Sequence, residues 1–146
     1  MSAADAAQVP IAGRYRRLPP AWRALLIALT AAAIALSVNQ LLNLGFFVGK
    51  TLLTSAYLYW LCAALAGCVF VLIPASRRAR LDGVPWYDAT LFLASFCVFA
   101  YFALNAQRII AEGWEYKAPA EAVWPAYLGW LVLLEATRRA GGNAVF

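Results

Sequence analysis

Glu121-Ala122-Val123-Trp124-Pro125-Ala126-Tyr127-Leu128-Gly129-Trp130-Leu131-Val132-Leu133-Leu134-Glu135-Ala136-Thr137-Arg138-Arg139 is the stretch on which the fold turns. Its charge-free part runs only from Ala122 to Leu134. A helix crossing the hydrocarbon core needs about 20 predominantly apolar residues. Taken alone, this segment reads as a core or re-entrant helix. With Glu121 and Glu135 at its two ends, and Arg138 and Arg139 reaching outward on long stems, it attains the length of a span.

Three other segments are plainer. None of Ala24–Leu44, Thr51–Ala75 and Ala89–Gln107 contains Asp, Glu, Lys, Arg or His. The expected architecture is therefore an all-α integral membrane four-helix bundle with both termini cytoplasmic. Its helices fall at about 22–44, 51–75, 85–107 and 119–139, in a domain over 22–146 that follows a polar arm over 1–21.

Composition agrees with lipid as the solvent. Of the 146 residues 64% are hydrophobic and 13% charged, against about 25% charged in soluble domains. The mean hydropathy is +0.70. The net charge of +5 does not point to nucleic acid, because the basic residues sit beside apolar runs. Arg14, Arg16, Arg17 and Arg23 precede the first span. Arg77, Arg78 and Arg80 lie between the second and third, and Arg138 and Arg139 follow the fourth. The opposite side holds Lys50, Arg108 and Lys117. Nine basic residues against three set the orientation, and an even number of spans agrees with it. The first apolar run is too long for a signal-peptide core and lacks a clear cleavage site near its end.

No histidine occurs, which removes His-ligated haem, His-dependent acid–base catalysis and most zinc sites. Cys62, Cys68 and Cys97 all lie in apolar runs without metal-ligand spacing. No charged residue falls at mid-depth of any span, whereas ion-coupled transport sites usually need one there. An enzyme is not expected, and neither are cofactors or metals. Asn39, Gln40 and Asn43 near the outer end of the first span read better as interhelical hydrogen-bonding groups than as substrate ligands. Ala63, Ala64, Ala66 and Gly67 read as packing residues that allow close helix approach.

What remains for specificity is Val84-Pro85-Trp86-Tyr87-Asp88, Leu134-Glu135-Ala136-Thr137-Arg138-Arg139 and the outer loop Gly113-Trp114-Glu115-Tyr116-Lys117-Ala118-Pro119. Asp88 suits a helix first turn, Arg138 and Arg139 a last turn, and Glu135 precedes Arg139 by four. The two charged stretches read either as two well-terminated helices with exposed charges or as one cluster of Asp88, Glu135, Arg138 and Arg139 tying the third helix to the fourth. Trp114 and Tyr116 read either as belt aromatics or as anchors for a soluble partner. Trp86 and Tyr87 mark the interface at the start of the third span.

These stretches, in this order, resemble the small, Q-type, four-helix membrane part of TRAP transporters, most closely the N-terminal part of fused TRAP permeases. The resemblance covers roughly residues 40–146. It implies a scaffold subunit of a tripartite, ATP-independent, sodium-coupled importer of organic acids in the bacterial inner membrane. Its partners would be a large membrane transport subunit, a periplasmic substrate-binding protein and the lipid bilayer. The resemblance leaves open whether the chain is a separate subunit or a piece of a fused permease, and it supplies no catalytic or ligand residues. The other reading is a standalone four-helix membrane protein that assembles or stabilises an unrelated complex.

Overall fold

The computed structural model describes residues 15–44, 54–76 and 81–141. Arg14, Lys50, Arg77, Arg78 and Arg80, which enter the charge-asymmetry argument, lie outside these residues. Among the described residues the regular structure is entirely helical: α1 (Pro20–Leu42), α2 (Thr54–Leu65), α3 (Cys68–Leu72), α4 (Trp86–Leu104), α5 (Ala106–Ala111) and α6 (Ala120–Gly141). Three helical stretches are long and apolar enough to cross a membrane, namely α1, α2 continued through α3, and α4. Although it has 22 residues, α6 is not among them.

Local chemistry explains where the elements start and stop. Pro20 opens α1, where its missing N–H is no loss and its fixed φ is already helical. Asn43 closes α1 in the left-handed region at φ 54°, donating its N–H to the Asn39 carbonyl. The span expected over 51–75 is interrupted at Ala66-Gly67, and its helix ends at Leu72, just ahead of Ile73-Pro74. Pro85 precedes α4, and its carbonyl accepts from the N–H groups of Asp88 and Ala89, both at 3.1 Å. The helix expected over 85–107 stops at Leu104, where Asn105 turns its side-chain amide onto the Tyr101 carbonyl at 2.9 Å. The short α5 then ends in a Schellman motif. Gly113 takes φ 64°, Gly113 N–H donates to the Ile110 carbonyl at 3.3 Å, and Trp114 N–H to the Ile109 carbonyl at 3.0 Å.

Helix α4 is the centre of the bundle and packs against α2, α3, α5 and α6, while α1 packs mainly against α2. In lipid, apolar burial does not drive helices together, so close backbone approach and interdigitation must do so. Two glycines provide the approach. A Cβ on Gly67 would lie 3.1 Å from the Phe92 carbonyl oxygen and 2.9 Å from the Phe92 ring. A Cβ on Gly129 of α6 would lie 3.0 Å from Val98 on α4. Trp22 of α1 meets Phe92 edge-on at 5.7 Å between centroids, closing the α1–α3–α4 cluster around Leu26, Cys68 and Val71.

The helix ends fall into two groups. The start of α1, the end of α3, the start of α4 and the end of α6 meet at one end of the bundle. The start of α2, the end of α4, α5 and the start of α6 meet at the other, around Tyr59, Phe102, Ile109, Trp114 and Ala122. The sequence reading sets residues 1–21 apart as an arm. Its last residues instead thread into the bundle: Arg17 N–H donates to Leu81 at 2.8 Å, Gly83 N–H to Arg17 at 3.2 Å, and Arg16 N–H to Leu72 at 3.0 Å.

Gly67→Leu will separate α3 from α4, because its neighbour on α4 is a backbone carbonyl that cannot rotate away. The expected loss is about 1–3 kcal/mol, read as a lower midpoint of thermal unfolding in detergent. Leu65→Ala, on an exposed position two residues earlier, should change that midpoint little.

Candidate functional site: a buried charged clasp

The two proline-marked connections deliver charges to the same place. Pro85 starts α4 so that Asp88 falls in its first turn, and Asp88 is fully buried at 0% exposure. On α6, Glu135, Arg138 and Arg139 fall in the last two turns. The arm ahead of Pro19-Pro20 inserts Arg16, which is 5% exposed.

Asp88 is the shared anion. Its Oδ1 accepts from Arg139 Nη1 at 2.7 Å, and its Oδ2 accepts from Arg16 Nη2. Glu135 forms the second acidic node. It accepts from Arg139 Nε at 2.7 Å, and from Arg138 Nε and Nη2, each at 2.7 Å. Further guanidinium N–H groups turn to carbonyls at and just beyond the end of α3, while Arg16 Nε is buried without a hydrogen-bond partner among the described residues. Arg16 Nη1 donates to Phe70 and Arg139 Nη1 to Ile73, both at 3.3 Å, and Arg138 Nη2 to Ala75 at 3.4 Å. The Arg139 guanidinium also lies 5.0 Å from the Phe70 ring centroid, a cation–π distance. Five charged side chains thus join the N-terminal strap, α3, α4 and α6. With three guanidiniums and two carboxylates, the group carries one net positive charge.

Of the residues singled out in the sequence, Asp88, Glu135, Arg138 and Arg139 converge here. Trp86 and Tyr87 do not enter the cluster. They stack edge-on at 6.1 Å on the outer surface beside it, and Trp86 is 80% exposed. Arg16 was not singled out. The sequence offers Arg14, Arg16 and Arg17 as near-equivalents, and of the two described, Arg16 and Arg17, it is the strap pairing of Arg17 with Asp82 that leaves Arg16 turned inward.

Trp114 and Tyr116, paired in the sequence reading as outer-loop aromatics, part company at the opposite end. Trp114 is buried, and its indole N–H donates to Glu112 Oε2 at 2.7 Å. Arg108 lies 5.3 Å from the Trp114 ring centroid and donates to Glu112 at 3.1 Å and to Glu121 at 3.4 Å. Trp114 therefore holds the loop rather than presenting itself as an anchor, and Tyr116 is the exposed aromatic. The Trp114 indole, followed by Arg108, holds the Glu112 carboxyl below the usual glutamate range.

Every ion pair among the described residues belongs to one of these two ends. No group of acidic, His or Cys side chains suited to hold a metal occurs among those residues. Comparison of the chain with protein-family models, curated proteins and solved structures gave no match.

Asp88→Asn leaves the buried Arg16 without its anion and takes from Arg139 one of its two, and should cost about 3–5 kcal/mol. Arg138→Ala, at a partly exposed position with one acidic partner, should cost under about 1 kcal/mol. Thermal unfolding in detergent measures both, and equal midpoints for the two variants would contradict the shared-anion geometry.

The pH dependence of the loop has a defined sign. A carboxyl held low in the folded state stabilises fully above its ordinary pKa of about 4.3. That contribution is lost as pH falls through the lowered folded value. The Trp114 indole N–H resonance, assigned by its absence in Trp114→Phe, should therefore titrate with a midpoint below about 4.3.

Proposed function

We propose that this chain is the small scaffold subunit of a TRAP-type importer in the bacterial inner membrane. It crosses the membrane four times, with both termini cytoplasmic, and it supports a large membrane subunit that carries organic acids with sodium. The observation that carries this reading is where the charges lie. Ion pairs collect at the two ends of the bundle, and the helix interiors between them hold no charged side chain, which ion-coupled transport sites usually need. Such a bundle suits a fixed support better than a moving carrier.

Four further points support it. The clasp gathers the start of α1, the end of α3, the start of α4 and the end of α6 at one end, which is the layout an even number of crossings requires. The same end receives the larger share of basic residues in the sequence. The outward faces of α1 and α6 present large apolar side chains, among them Leu41, Trp124 and Leu131, to lipid or to a neighbouring subunit. The exposed Tyr116 at the other end would face the periplasm, where a soluble binding protein operates.

Co-expression with a large multi-spanning TRAP subunit tests the proposal. The two should co-purify in detergent and in nanodiscs as a complex of fixed stoichiometry. Failure to retain any such subunit, with the chain itself folded, would remove the scaffold reading and leave a standalone membrane assembly protein.

A further inference from the structure

Helix α6 is unlike the other long helices in what holds it. By length and apolarity α1, α2–α3 and α4 each qualify as spans, and α6 does not. Pro125 sits inside it, Glu121 occupies its first turn, and Trp124, Tyr127 and Trp130 take the places where aliphatic side chains would favour insertion. These three aromatics are mostly outward-facing, at 77%, 60% and 59% exposure.

What α6 has instead is a made-to-measure neighbour. Gly129 lets its backbone approach Val98 of α4 closely, and Arg139 gives Asp88 at the start of α4 one of its two guanidiniums. The contacts lie about half-way along α6 and at its C-terminal end, and both are with α4. Val132 and Ala136, one and two turns further on, fill the cluster around Phe70 and Leu91 between them. Helix α4 precedes α6 in the chain and is apolar enough to be in the membrane first.

We infer that α6 is a dependent span: it enters and stays in the membrane because α4 receives it, through Asp88–Arg139 and the Gly129–Val98 contact, and not through its own hydrophobicity. The inference rests on the four-span reading proposed above. The deficit in α6 is one of apolar content, and the remedy is docking to α4. Removing the docking therefore exposes the deficit, and making the outer face more apolar cancels it.

The test uses the full chain in a bacterial host, with alkaline phosphatase or green fluorescent protein fused after Phe146. The first reports a C-terminus outside the cytoplasm and the second one inside. The wild-type chain should read inside. Asp88→Asn and, separately, Gly129→Thr, which adds bulk against Val98 without making α6 more apolar, should raise the outside-facing share several-fold. Adding Trp124→Leu and Tyr127→Leu, which change the outer face and leave the α4 contact untouched, should return that share towards the wild-type value in both backgrounds. An outside-facing share equal to wild type in both single variants would overturn the inference. So would a rise that the added leucines do not reverse, since general misfolding has no reason to respond to them. A wild-type C-terminus that itself reads outside would instead overturn the four-span reading, and this inference with it.

Discussion

The Asp88 carboxylate is the point on which the rest of this structure depends. It is wholly buried, it stands at the start of the central helix, and it is bound by guanidiniums from opposite ends of the chain. A buried carboxylate and two buried guanidiniums are each costly to remove from water, and only together do they become tolerable. The arrangement therefore admits few alternatives. If the strap is not docked, or α6 is not beside α4, Asp88 loses one of its two guanidiniums. This gives the bundle a specificity that apolar faces in lipid cannot supply, since lipid and leucine are nearly equivalent neighbours.

The same economy explains the two glycines. Helices that gain little from apolar burial must approach closely enough for dispersion to add up, and Gly67 and Gly129 are where α3 and α6 do so against α4. Charge fixes the end of the bundle and small residues fix its middle. The far end is fixed by a third device, the Schellman turn at Gly113, which places Trp114 under the loop, where Glu112 and Arg108 hold it. The scaffold role proposed for the chain needs these features, because a support must resist the motion of what it carries.

Much of the fold was legible along the chain. Long runs without charge between proline-marked loops can only be helices in lipid, because every backbone group must then be satisfied within its own segment. The convergence of Asp88 with Glu135, Arg138 and Arg139 could be anticipated as one of two readings, since each acid or base suits the helix terminus it occupies. Arg16 could not. Arg16 and Arg17 are neighbours that differ only in which way an extended strap turns them, and that is set by the pairing with Leu81 and Gly83, far away in sequence. Trp114 and Tyr116 likewise look alike in the sequence and have opposite fates, because the left-handed turn at Gly113 buries one and leaves the other 94% exposed.

The sequence by itself determined that this protein is helical, that three segments are apolar enough to cross a membrane, and that its charges lie at their ends. These follow from composition and spacing, which act locally. Tertiary structure decided which arginine meets Asp88, where the second apolar segment breaks, and that α6 leans on α4 through Gly129 and Arg139. Those outcomes depend on distances between residues remote in the chain, and on the balance between burying a charge and pairing it, which no single segment carries.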